Sequence, residues 1–105
     1  MNKPLVSNAF QTFMNEAPEH AKVWMEVVQK LGNVSGLDKK TEELAYIAVL
    51  AATRMESGIP FHVKQAKEKG ASREEIISAI LVGLPAVGNI VTTSLPIALE
   101  SYDNK

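Results

Sequence analysis

The sequence predicts a single all-α domain, residues 1-105, built from about six helices. Apolar residues recur at helical spacing, as in Val23, Trp24, Val27, Val28 and Leu31. Capping residues and prolines stand where helices would begin, at Pro18, Asp38, Pro60 and Ser72. No segment reads convincingly as a strand, although the run VTTSLPI is ambiguous on its own.

Around Val6 to Asn15 a short first helix carries Phe10, Phe13 and Met14. The second starts near Pro18, since proline fits a first helical position, and stops at Gly32. Asn33 to Leu37 is a loop, and Asp38 caps a third helix running to about Met55. From Leu44 to Ala52 that helix is apolar on nearly every face, which marks a helix buried in a core or between subunits. Pro60 starts the fourth helix and Gly70 ends it. Ser72-Arg73-Glu74-Glu75 is a capping box for the fifth, which carries Ile76, Ile77, Ile80 and Leu81. Gly83-Leu84-Pro85 interrupts it. A last helix spans roughly Val87 to Tyr102, with Pro96 as a kink or late start.

Composition narrows the function. With 11 basic against 12 acidic residues the net charge is -1, so nothing points to nucleic acid or an anionic membrane as partner. Lys64, Lys67, Lys69 and Arg73 cluster, but Glu68, Glu74 and Glu75 interleave with them as on a solvated helix face. The chain has no cysteine, which removes disulfides, thiolate metal sites and thiol redox chemistry. MNKPLVSNAF lacks the apolar core of a signal peptide, and no apolar run is long enough to span a membrane, so a cytoplasmic protein is expected. A 105-residue chain cannot cover all the apolar surface of the third helix and of Ile80 to Leu99 by itself. A homo-oligomer is therefore expected.

The candidate site lies in the stretch Leu37 to Ile76. Glu43, Ile47, Leu50 and Arg54 fall on one side of the third helix, an apolar stripe between two charges. A carboxylate so placed needs a partner or must stay neutral, and Arg54, a lysine or backbone donors could all serve. His62 falls in the first turn of the fourth helix, at about its third position. The helix dipole disfavours imidazolium there, which suits a general base. A histidine bonded in a helix–helix corner is the plainer alternative. His20, beside Glu19 and Lys22, reads as an exposed surface histidine. Neither histidine has a carboxylate at metal-ligand spacing, the glycines form no phosphate-binding pattern, and no nucleophile elbow surrounds Ser57. No metal and no cofactor is called for.

Leu37, Thr41, Glu43 and Leu44, then His62, Ala66, Gly70-Ala71, Ser72 and Glu74-Glu75-Ile76 resemble the carboxymuconolactone decarboxylase family, which includes the alkylhydroperoxidase D-like proteins. The resemblance is good over about Leu37 to Val82 and looser over Val87 to Glu100. It implies an all-α fold and assembly into trimers or hexamers. In the family's redox branch a Cys-x-x-Cys pair precedes the histidine, and the resemblance sets those cysteines at Met55 and Gly58, the branch's glutamate at Glu43 and its histidine at His62. Half of a proton relay is kept and the sulfur is gone, so a cysteine-based peroxidase is not expected. The lactone decarboxylases resemble this chain in keeping a histidine at the His62 position. They imply a cofactor-free acid–base enzyme on a small carboxylate or lactone, with His62 as proton shuttle, Glu43 orienting it, and Arg54 holding an anion. Glu56 is the nearest further acid. The alternative is a non-catalytic oligomer that binds a small molecule or a partner.

Overall fold

Three of the longer helices begin at a side-chain cap that the sequence supplies, and the other three carry a proline at their first or second position. In the computed structural model, which describes residues 6–104, Ser7 accepts the amide of Phe10 at 3.1 Å and opens α1, Asn8–Glu16. Pro18 opens α2, Pro18–Val34. Asp38 accepts the amide and the hydroxyl of Thr41, both at 2.9 Å, and opens α3, Lys39–Ala52. Ser72 and Glu75 form the reciprocal capping box of α5, Arg73–Leu81. Between them lie a 3-10 turn, Glu56–Gly58, and α4, Ile59–Glu68. The chain closes with the four-residue α6, Leu84–Val87, a 3-10 segment, Asn89–Ser94, and α7, Leu95–Asp103. Six helices thus have nine residues or more, and no strand occurs among the described residues.

The departures from the sequence reading have local causes. α2 runs through Gly32 to Val34, and the Gly32 carbonyl is instead taken by the Lys39 ammonium at 3.1 Å. α3 stops at Ala52, short of Met55. The amide of Met55 returns to the Leu50 carbonyl at 2.9 Å and that of Arg54 to Ala51 at 3.3 Å, which is a Schellman termination with Arg54 in the left-handed position, φ 63°. α4 ends the same way, with Gly70 at φ 97° and the Ala71 amide on the Ala66 carbonyl at 2.9 Å. Helix α4 begins one residue before Pro60, so His62 occupies its fourth position. The last helix takes the late start: Pro96 is the second residue of α7, since a proline without an N–H cannot continue a helix from the preceding segment.

Two parts result. α3, α4, α5, the Asn89–Ser94 segment and α7 pack around Ile47, Ile59, Val63, Ile76, Ile80 and Val91, all fully buried. The lysine cluster does more than meet solvent here. Lys67 donates to the Tyr102 carbonyl at 2.6 Å and Lys64 to that of Asn104, satisfying the open C-terminal end of α7, and Arg73 pairs with Asp103 at 2.9 Å. The other part is the α1–α2 hairpin. α2 packs against α1 and makes at most marginal contact with any other element, and its single buried residue is Ala21. No helix of the described residues is long and apolar enough to cross a membrane.

Candidate active site

Glu43 sits in the second turn of α3 and His62 at the start of α4, and the α3–α4 packing brings them together. His62 Nδ1 lies 3.1 Å from Glu43 Oε2 and 3.4 Å from Oε1. The two side chains are 20% and 17% exposed, a pair at the edge of the core rather than within it. With the carboxylate as acceptor, Nδ1 carries the proton and donates to it, so the outer nitrogen, Nε2, is left as the basic one. Among the described residues Nε2 makes no hydrogen bond.

Two aromatic rings hold the imidazole. Tyr46 stacks on it at 4.1 Å between centroids with the planes 21° apart, and Phe61 meets it edge-on at 5.2 Å. Neither ring figures in the sequence reading. The signal was present: Tyr46 is three residues beyond Glu43, so on a helix the two are neighbours. With ring plane and tautomer both fixed, Nε2 points one way, as proton transfer to a bound molecule requires.

Arg54 does not join this pair. The apolar stripe through Ile47 and Leu50 is buried as the spacing implies, but the helix ends before Arg54, and the left-handed turn leaves that side chain exposed in the loop ahead of α4. Glu43 therefore pairs with His62 and not with Arg54. Glu56 accepts the Thr93 hydroxyl at 2.9 Å, tying the 3-10 turn to the Asn89–Ser94 segment. Met55 is exposed, whereas a Cβ at Gly58 would lie 3.2 Å from a Leu50 methyl, tight enough that a side chain there would push Leu50 aside. His20 is exposed on α2, where it lines an open apolar cavity of about 540 Å³ with Phe13, Glu19, Val23 and Trp24. Among the described residues no group of three or more histidine, aspartate or glutamate side chains converges as a metal-ligand set would.

The model of the carboxymuconolactone decarboxylase family matches residues 18–100. The chain belongs to that family. The fold agrees with the crystal structure of apo-lpg0406, a carboxymuconolactone decarboxylase family protein from Legionella pneumophila. The TM-score is 0.76 at 26% identity, over 90% of this chain and 85% of that one. The comparison with curated proteins gave no match. Within its family this chain is a cysteine-free member, so the thiolate chemistry of Cys-x-x-Cys proteins has no groups to run on here.

Proposed function

We propose that this chain is a cofactor-free acid–base enzyme of the carboxy-lyase type, acting on a small carboxylate or lactone. The observation that carries this is the 3.1 Å pairing of His62 Nδ1 with Glu43, which leaves Nε2 as an oriented base on a partly exposed ring. In a β,γ-unsaturated lactone acid the bond to the carboxylate breaks and CO₂ leaves. The electron pair moves into the conjugated lactone, and the carbon then takes a proton. His62 Nε2 collects that proton from solvent and delivers it, while Glu43 stabilises the transient imidazolium. Arg54, exposed one turn ahead of α4, is the cation that would hold a substrate carboxylate. The protein works as a homo-oligomer, a trimer or hexamer, in the cytoplasm, with neither nucleic acid nor membrane as partner.

The test is CO₂ release from a panel of unsaturated lactone carboxylates. His62→Ala should lower the rate by about 10²–10⁴-fold, the usual contribution of a positioned acid or base. Glu43→Gln should lower it less, because it removes orientation and leaves the base. Turnover that survives His62→Ala would refute the assignment. One observation favours a second reading, a small-molecule-binding member without catalysis: an open apolar cavity of about 540 Å³ lies at Phe13, His20 and Trp24, away from the pair. Binding without turnover across the panel would select it.

A further inference from the structure

Two apolar surfaces are exposed among the described residues. One is the outer face of α2, where Val23, Trp24, Val27, Leu31 and Val34 form a stripe at helical spacing with His20 at its N-terminal end; all are exposed, Trp24 by 52%. The other lies on α3 and the start of α4, where Tyr46 and Phe61 flank His62; Val49, 59% exposed, and the exposed Met55 belong to the same stretch of chain. At the sizes of these side chains each surface offers apolar area on the order of 500 Å². A stable interface takes about 800 Å² a side with rather more than half of it apolar. Either surface, with a polar rim, is thus of interface size. They do not meet within one chain, since α2 makes at most marginal contact with α3 and α4.

We propose that the α1–α2 hairpin of one chain docks over the Glu43–His62 face of a second copy and closes that site. The inference rests on the reading of this pair as the site. It answers two observations with one contact. The pair keeps about a fifth of each side chain exposed beside the half-exposed Tyr46 and Val49, and the hairpin carries an open apolar cavity. Placed together, Tyr46, Phe61 and His62 face a half-chamber to which Trp24 of the partner subunit and His20 of the partner subunit contribute. An apolar lid of this kind excludes water and strengthens the Glu43–His62 interaction. The donor and acceptor patches differ, so the contact is either reciprocated in a two-fold dimer or runs head-to-tail around a ring, and both arrangements cover both patches. An α2-to-α2 pairing would use the hairpins and leave Tyr46, Val49 and Phe61 bare.

The absence of native cysteine makes the test clean. Full-length Leu31→Cys and Val49→Cys chains, of distinguishable mass, are mixed, allowed to exchange and oxidised. The expected result is an interchain disulfide joining one of each. Leu31→Cys linking mainly to itself would put α2 against α2 and overturn the proposal, as would no interchain product at micromolar chain. The single tryptophan gives a second, independent readout. Val49→Glu should shift Trp24 emission to the red although the two residues sit in parts of one chain that scarcely touch; unchanged emission would overturn the proposal. Neither readout uses turnover, so an enzyme inactive on every lactone tried could still show the docking, and the two ideas fail separately.

Discussion

Arg54 occupies a position that glycine fills elsewhere in the same chain. Both α3 and α4 end in the same pair of returning hydrogen bonds, with Arg54 at φ 63° in the first and Gly70 at φ 97° in the second. A non-glycine residue in the left-handed region costs about 1–2 kcal/mol, partly offset by the smaller entropy it loses on folding. Arg54→Gly should therefore leave the fold intact and raise stability by about 0.5–1 kcal/mol, read in urea melts. If Arg54 holds the substrate carboxylate, the same change should raise KM about tenfold or more, because a charged hydrogen bond is lost. A stabilised variant with unchanged KM would free Arg54 from that role. The converse is expected at Gly70: with no neighbour within 4 Å of an added Cβ, Gly70→Ala costs only backbone strain, about 1 kcal/mol, and its melt should show just that.

At the scale of the element, caps and ion pairs set the acid limit. The carboxyl of Glu75 is held below its ordinary pKa by the Ser72 amide first and then by Lys40, whose ammonium lies 3.0 Å away. Asp38 is lowered by the Thr41 amide and hydroxyl, and Asp103 by the Arg73 guanidinium. A carboxylate favoured in the folded state contributes stability above its unfolded pKa, and that contribution disappears as pH falls through the lowered folded value. Stability should thus be level near pH 7 and decline through the carboxylate range below pH 4.5, the ordinary value for Glu75. Glu75→Gln should lower it at pH 7 and flatten the decline; an unchanged slope would mean that Glu75 carries none of it. Ser72→Ala removes the other half of the box and should cost about 1 kcal/mol at pH 7. These caps were legible because a cap is written in three or four adjacent residues, as in Asp38 to Thr41 and Ser72 to Glu75. The end of α3 was not, because a Schellman turn without glycine carries no residue signature. Glu43 and His62 could be singled out as a buried acid and a helix-start histidine, yet their 3.1 Å meeting depends on how α3 packs on α4, which no local pattern states. Tyr46 escaped notice for the same reason, an aromatic on an apolar helix being ordinary until the ring it covers is known.

The whole molecule joins a well-buried α3–α7 core to a hairpin held mainly by itself. Two helices of this length with an exposed apolar stripe are marginal alone, since helical stability in proteins comes mostly from packing. The hairpin should draw its stability from association, and association makes the melting temperature depend on concentration. For a trimer, a tenfold rise in chain concentration adds roughly 1 kcal/mol per chain. In a domain of this size that is a shift of about 4–8 °C. Calorimetric scans at roughly 1, 10 and 100 µM chain should show successive rises of that order. The doubly charged variant Val27→Asp, Leu31→Asp should lose the dependence, because two carboxylates cannot be buried unpaired at the centre of the α2 stripe. Its core should still melt cooperatively, since neither residue packs against Ile47, Ile59 or Ile76. A parent protein whose melting temperature stays fixed over that hundredfold range would be a monomer, and the apolar faces of α2 and α3 would then have to be explained by something other than a second copy of the chain.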